Sequence, residues 1–180
     1  KPFPDALELD AILAEPLDVL PSATSFKYSN IGYGILGLVV EAVTGSRYED
    51  AVREGVVKPL GLTRTVPDVD VRKSARLVAS HSGIHTTMRR EVLESPTSGS
   101  LAAATGVTST AAELARFAAG HFLGSGELLD DRSKRWMGQQ HWSTVDRDGV
   151  PAGYGLGMQL RQIAGRTWLG HGGGWPGQLT

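Results

Sequence analysis

The apolar segment from Ile31 to Val43 is the feature that most constrains the fold of this 180-residue chain. Its residues are apolar on nearly every side, and the following Gly45 suits the left-handed residue that ends many helices. The segment is too short for a membrane span, which takes roughly 20 apolar residues. The sequence therefore predicts a buried helix in a globular protein. Its glycines each cost about 1 kcal/mol of helix propensity, so we expect another backbone to pack closely against them.

The composition is that of an ordinary globular protein, and it narrows the chemistry. Lysine and arginine number 18 against 19 aspartates and glutamates, so no basic surface for nucleic acid or an anionic membrane is indicated. Cysteine is absent, which excludes disulfides, thiolate zinc sites and a thiol nucleophile. The chain begins without a signal-peptide pattern, and both of its ends are abrupt. We expect it to be a piece of a longer protein.

Other helices are indicated by capping patterns. Residues 1 to 25 predict one short helix between loops, and Ser46 with Glu49 forms a capping box for a helix that runs to about Val57. Thr110 and Glu113 form a second capping box, ahead of an apolar stripe at three- and four-residue steps. A further helix follows, with Asp130 or Asp131 as its cap, Leu128 and Leu129 at its entry, and Trp136 and Met137 at its end.

The pattern changes near the end of the chain. Apolar residues alternate with others from Tyr154 to Leu160, which predicts a strand, and Ala164-Gly165 predicts the turn to a partner strand over 166 to 171. Helices come first and paired strands last, which indicates the α+β class. We predict a mainly helical subdomain over residues 1–150 and the start of an antiparallel β-sheet, itself incomplete, over residues 151–180.

Tyr28-Ser29-Asn30 precedes the buried helix, on a loop held by a rigid scaffold, where reactive groups are often placed. A tyrosine with a cationic neighbour can act as a general base, and an asparagine can hold a substrate carbonyl. The alternative is structural: Ser29 or Asn30 caps the helix and Tyr28 packs.

His171-Gly172-Gly173-Gly174 ends the last predicted strand. The glycines let a ligand approach the backbone, and an outward N–H there can stabilise an oxyanion. The alternative is a histidine at a strand end beside a plain glycine turn. Neither segment decides the matter alone.

The two segments belong to a longer ordered set of motifs. These are Tyr28-Ser-Asn-Ile-Gly-Tyr-Gly-Ile-Leu-Gly37, Glu41-Ala-Val-Thr-Gly45, Lys58-Pro-Leu-Gly-Leu62, Ser109-Thr-Ala-Ala-Glu-Leu-Ala-Arg-Phe117, Tyr154-Gly-Leu-Gly157 and His171-Gly-Gly-Gly-Trp-Pro-Gly177. The sequence resembles the serine β-lactamase-related family, which includes class C β-lactamases, D,D-peptidases, D-aminopeptidases and related esterases. The resemblance covers residues 24 to 178 and implies the β-lactamase and penicillin-binding-protein-like transpeptidase fold.

The resemblance also implies roles for individual residues. Tyr28 would transfer a proton and Asn30 would orient the substrate, as in the family's Tyr-x-Asn motif. His171, Gly172 and Gly173 match the His-x-Gly form of its third motif, and Gly174 would lend its N–H to the oxyanion hole. The substrate would be a small ester, amide or peptide, with an esterase or D-amino-acid peptidase favoured over a true β-lactamase. No metal or organic cofactor is implied.

The family's nucleophile motif is missing from the chain. Ser-x-x-Lys would require a serine three residues before a lysine, and no lysine here has one. We expect the motif to lie outside the chain and the fragment alone to be inactive. The alternatives are a non-catalytic, penicillin-recognising or regulatory homologue, and an interaction module in which Tyr28-Ser29-Asn30 is only a cap.

The remaining histidines predict no second site. His81 and His85 lie four residues apart, but the segment around them is a poor helix and no carboxylate completes a metal set. His121 lies on the apolar stripe and reads as a hydrogen-bonded packing residue.

Overall fold

The computed structural model describes residues 3–16, 21, 24–68, 77–83, 90–94, 96–146 and 149–179. Its α-helices are α1 (Ala6–Ala14), α2 (Asn30–Thr44), α3 (Tyr48–Val52), α4 (Ala102–Thr105), α5 (Ala111–Gly120) and α6 (Asp131–Gly138). Its strands are β1 (Ser80–His81), β2 (Val92–Leu93), β3 (Trp142–Val145), β4 (Pro151–Tyr154), β5 (Gln159–Ile163), β6 (Arg166–Gly170), β7 (Gly174–Trp175) and β8 (Gln178–Leu179). Every strand pairing is antiparallel, so the α+β class is confirmed.

The chain forms two compact units, each discontinuous in sequence. The first unit comprises Lys1–Leu17, Ser29–Glu113 and Gly172–Thr180, and the second comprises Asp18–Tyr28 and Leu114–His171. The second unit contains the four-stranded sheet, with strand order β3-β4-β5-β6. This sheet begins at Trp142, ahead of residue 151. The boundary at residue 150 between a helical subdomain and a sheet subdomain stays a prediction.

Helix α2 begins and ends as its sequence predicts. The Ser29 hydroxyl accepts a hydrogen bond from Gly32 N at 3.0 Å, which satisfies one free N–H of the first turn. Gly45 closes the helix with φ 66°. A Cβ added at Gly34 would lie 2.8 Å from Leu101 Cδ2, and one at Gly37 would lie 2.8 Å from Ala103 Cβ. The predicted close packing against another backbone is confirmed at Gly34, where the added Cβ would also lie 3.2 Å from Ser100 O. At Gly37 the close contact is with a side chain, and at Gly32 it is with the capping Ser29.

The prediction that α2 is buried on all sides is wrong for this chain. Only Gly34 and Gly37 are buried, whereas Leu36 is 53% exposed and Val43 is 81% exposed. The described part of the first unit packs against the glycine face, through α4 and the 3₁₀ turn at Gly99–Leu101. Apolar periodicity indicates which residues favour burial, but it does not supply the element that covers them.

The capping box predicted at Ser46 is also wrong, although the helix it introduces is present. The N–H of Tyr48 donates to Glu41 Oε1 at 2.8 Å, and Glu49 accepts instead from the Arg47 guanidinium. A carboxylate from the last turn of α2 thus satisfies an N–H in the first turn of α3, whose cap residue is Arg47 and not Ser46. The helix continues through a π-helical turn, Arg53–Val57, and ends before Pro59 as expected.

The second predicted capping box forms only in half. The Thr110 hydroxyl accepts from Glu113 N at 3.3 Å, but the Glu113 carboxylate points to the loop at residues 63–65. There it accepts from the Thr65 hydroxyl at 2.6 Å and from Arg64 N at 2.9 Å. The hydrogen bond from Thr65, followed by that from the Arg64 N–H, lowers the pKa of this carboxyl. The Glu113 carboxylate thus bonds to a loop of the first unit, 48 to 49 positions earlier in the sequence, rather than to the Thr110 backbone.

The strand predicted from 154 to 160 is interrupted by a hairpin turn over residues 155–158, between β4 and β5. Strand β4 ends at Tyr154, and Gly155 N donates to Met158 O at 2.7 Å, while Gly157 adopts φ 72°. Glycines alternating with apolar residues imitate the period of a strand, but a left-handed glycine reverses the chain. The β5–β6 hairpin and its Ala164-Gly165 turn are confirmed, with φ of 50° and 74°. The cap of α6 is also confirmed, since Asp130 accepts from Ser133 N.

Candidate active site

The second unit brings Tyr28, Tyr154 and His171 into one aromatic cluster. The register of the sheet explains the meeting of two of them, because Tyr154 and Gly170 both pair with Gln159 from opposite sides. Tyr154 thus ends β4 at the same edge where His171 follows β6. The Tyr154 hydroxyl and His171 Nε2 lie 2.9 Å apart, within hydrogen-bond distance.

Tyr28 completes this cluster from the segment that precedes α2. Its ring centroid lies 5.8 Å from that of His171 and 6.5 Å from that of Tyr154, the latter in an edge-on arrangement. Phe26 packs on Tyr154 with ring centroids 4.7 Å apart. Such contacts fall in the range of favourable aromatic pairs. Packing therefore holds Tyr28 against the imidazole, in line with the structural alternative, while half of the residue stays exposed.

Exposure separates the parts that the two tyrosines can play. Tyr28 is 50% exposed, whereas Tyr154 is only 7% exposed. A half-exposed phenol beside an imidazole can meet a ligand and exchange a proton with it. A buried phenol bonded to one ring nitrogen can set the tautomer and orientation of the histidine. The cluster thus has an exposed face, formed by Tyr28 and His171, and a buried member, Tyr154.

The remaining predicted site residues belong to the first unit. Asn30 is the first residue of α2, and Gly174 begins β7 and pairs with Leu179. Gly172 and Gly173 connect His171 to that strand and belong to the same unit. Of the predicted site residues, the second unit therefore brings together Tyr28 and His171. Asn30 and the three glycines are described only within the first unit.

Ser29 serves as a helix cap, which is the structural role that its position allowed. Its hydroxyl oxygen accepts from Gly32 N, and the cap residue has the extended backbone typical of that position. A serine and a lysine do meet elsewhere, since Lys134 Nζ lies 2.6 Å from Ser125 Oγ. The Ser125 hydroxyl, however, donates to Gly120 O, and Lys134 also donates to Phe122 O. This pair closes the end of α5 and carries no free nucleophile.

His121 and His141 have structural partners. His121 Nδ1 lies 3.0 Å from Phe117 O, and the two rings are 4.5 Å apart, so its packing role is confirmed. His141 Nε2 lies 3.0 Å from Trp136 O. His85 lies outside the described residues. Within the described ranges, no three histidine, aspartate or glutamate side chains converge as a metal-binding group.

Tyr154 is the site residue that sequence reasoning missed. It was visible as the first letter of the Tyr154-Gly-Leu-Gly157 motif, but that motif carries no sign of a hydrogen bond to a residue 17 positions later. Only the strand register brings the two side chains to one edge.

The sequence profile of the family described as Beta-lactamase matches residues 2–180. The chain belongs to the beta-lactamase family. The predicted resemblance is therefore confirmed, and with it the fold of beta-lactamases and penicillin-binding proteins. Members of this family are serine hydrolases.

Individual relatives agree with this membership. The chain is 32% identical over 173 residues to penicillin-binding protein 4 of Amycolatopsis lactamdurans, covering 89% of this chain and 44% of that protein. A D-stereospecific amidohydrolase from Streptomyces sp. superimposes with TM-score 0.74 and 26% identity, covering 92% of this chain and 48% of that one. The penicillin-binding protein of Bacillus halodurans shares the fold, with TM-score 0.72 and 22% identity over 89% of this chain and 48% of that one.

The chain thus spans less than half the length of these relatives. No helix among the described residues is long and apolar enough to cross a membrane.

Proposed function

We propose that the full-length protein containing this chain hydrolyses an ester or an amide through an acyl-enzyme. The observation that carries the proposal is the cluster in which the half-exposed Tyr28 lies against His171, with Tyr154 bonded to the imidazole. Tyr28 and His171 each match a motif of the beta-lactamase family. They lie in contact although 143 positions separate them in sequence (171 minus 28). A purely structural helix cap at Ser29 would not require this meeting.

The proposed reaction assigns a part to each motif. A serine from a Ser-x-x-Lys motif outside this chain attacks the carbonyl carbon, and its proton passes by way of Tyr28 to the leaving alcohol or amine. Asn30 orients the substrate, and His171 is a further polar group for binding it. The backbone at Gly172, Gly173 and Gly174 provides donors for the developing oxyanion. Water then hydrolyses the acyl-serine ester and restores the hydroxyl.

The favoured substrate is an amide or peptide of a D-amino acid. The Streptomyces neighbour is a D-stereospecific amidohydrolase, and it is similar over 92% of this chain. The third motif is also of the histidine form, which the family resemblance associates with esterases and peptidases rather than with true β-lactamases.

The test compares variants of the full-length protein on a p-nitrophenyl ester and on D- and L-alanine p-nitroanilides. We expect Tyr28→Phe and His171→Ala to lower kcat by about 100-fold or more, as is typical for lost proton-transfer groups. His141→Ala, which removes another histidine of the second unit, is the matched control and should leave kcat unchanged. Full activity in Tyr28→Phe would overturn the assignment.

The hydrolysis assay, combined with a measurement of penicillin binding, separates the alternatives. A non-catalytic homologue would bind penicillin without turnover, and an interaction module would neither bind it nor hydrolyse the esters. The 180-residue chain by itself should be inactive, because it lacks Ser-x-x-Lys. Turnover by that chain would show that its nucleophile is a different residue.

A further inference from the structure

The first unit contains a cleft that the proposed reaction does not use. It lies between two small hairpins, β1–β2 and β7–β8, and has a volume of about 570 Å³. This volume is within the range of sites for small organic ligands. The residues that matter for its chemistry are His81, Arg90, Leu93, Trp175, Gln178 and Leu179.

The two hairpins are in direct contact with each other, so the cleft exists before any ligand binds. A Cβ added at Gly177 would lie 2.5 Å from His81 N, and Gly177 has φ 77°, so only glycine suits this turn. Gln178 Nε2 donates to Val78 O at 3.0 Å and to Ser80 Oγ at 3.1 Å. These contacts hold β7–β8 against the strand that carries His81.

The apolar side of the cleft is also supported. The Trp175 indole stacks on Phe3 with ring centroids 5.1 Å apart and planes 15° apart. Leu93 and Leu179 add aliphatic surface to the lining. Stacking fixes one face of Trp175, so its orientation costs little entropy when a ligand binds.

Arg90 gives this apolar cleft a positive charge. Arg47, Arg53 and Arg116 each pair with a carboxylate, whereas within the described residues the Arg90 guanidinium has no ion pair or hydrogen bond. The neighbouring Glu91 uses its backbone N–H and carbonyl to bind Ser82. No aspartate or glutamate side chain is among the described residues that line the cleft.

We propose that this cleft binds the carboxylate of a small organic acid that carries an aromatic or branched aliphatic group. A guanidinium matches a carboxylate through two parallel hydrogen bonds, and Trp175 with the two leucines receives the apolar part. One arginine balances a monoanion, whereas a phosphate dianion would retain unbalanced charge beside apolar walls. The inference concerns binding by the first unit and does not rest on the proposed hydrolysis.

The experiment titrates the 180-residue chain with 3-phenylpropionate, its neutral amide, and phenyl phosphate. Binding is followed by two-dimensional NMR, at the indole N–H of Trp175 and the side-chain amide of Gln178. We expect 3-phenylpropionate to shift both signals with a Kd on the order of 1 mM, which is ordinary for so small a ligand. The amide and the phosphate should each bind at least tenfold more weakly.

Variants test the part of Arg90. Arg90→Gln should weaken 3-phenylpropionate binding at least tenfold, and Arg90→Lys should weaken it less, because the charge remains without the bidentate geometry. Arg64→Gln removes another arginine of the first unit, outside the cleft, and should leave Kd unchanged. Signal dispersion in the same spectra reports whether each variant is folded.

Several outcomes would overturn the proposal. These are equal binding of the acid and its amide, tighter binding of phenyl phosphate, an unchanged Kd in a folded Arg90→Gln variant, or no shift at Trp175 with any probe. None of them bears on whether Tyr28 and His171 take part in hydrolysis, which the ester assay decides separately.

Discussion

The hydroxyl group of Tyr154 lies 2.9 Å from Nε2 of His171, at the edge where strands β4 and β6 flank Gln159. Tyr154 is 7% exposed, so the phenol of this pair is shielded from water, whereas His171 is exposed. The resemblance to the beta-lactamase family implies that His171 belongs to the third motif of the active site. The structure adds the partner that holds its ring.

Removal of this hydroxyl group should affect His171 without removing it. For Tyr154→Phe in the full-length protein we expect kcat to fall by roughly 5-fold to 10-fold, the effect of one lost hydrogen bond of about 1 kcal/mol. The ¹⁵N shifts of His171 should show a changed tautomer ratio, which a merely structural role would not produce. Tyr48→Phe is the control, since Tyr48 belongs to the first unit. An unchanged tautomer ratio would show that Tyr154 does not position the imidazole.

The turn after Tyr154 should tolerate no side chain at Gly155. A Cβ there would lie 2.2 Å from Met137 O, a backbone atom that cannot move aside freely. We expect Gly155→Ala to lower the free energy of unfolding by about 1–3 kcal/mol, as overpacking does. Urea denaturation measures the change. Gly170→Ala, where nothing lies within 4 Å, should change stability by less than about 0.5 kcal/mol. Equal effects of both variants would contradict the contact.

The serine between Tyr28 and Asn30 should matter for stability alone. Ser29→Ala removes the acceptor for Gly32 N and should cost about 1 kcal/mol of unfolding free energy, while Ser29→Asp should restore it. Ester hydrolysis by the full-length protein should persist in both variants. Loss of hydrolysis in a stably folded Ser29→Ala variant would refute the cap as its sole role.

Glu113 should make folding of the first unit depend on acid pH. The Thr65 hydroxyl and then the Arg64 N–H lower the pKa of its carboxyl from the ordinary 4.5. Its folded pKa lies below the unfolded one, so its stabilisation is complete above pH 4.5 and is lost as pH falls through the folded pKa. Glu113→Gln should flatten the acid limb of the stability curve. Glu15→Gln, at the exposed end of α1, is the control. An acid limb that is identical in Glu113→Gln and the native chain would rule out this contribution.

Local patterns in the sequence predicted individual elements well. Gly45 ended α2, Asp130 capped α6 and Ala164-Gly165 turned β5 into β6, because each depends on a few neighbouring residues. The errors occurred where a distant group competed. Glu41 accepts from the Tyr48 N–H where a capping box of Ser46 and Glu49 was predicted, and the Glu113 carboxylate accepts from Thr65. Such partners lie beyond any local pattern.

The sequence by itself determined the family, the α+β class and the residue types available for chemistry, since ordered motifs and turn residues act through local geometry. Tertiary structure alone decided that Tyr28 meets His171, and that Tyr154 bonds to the imidazole. It also decided that α2 presents glycines to α4 while its larger apolar residues remain exposed. The physical reason is that strand register and helix packing join residues far apart in sequence, and no local propensity encodes those distances.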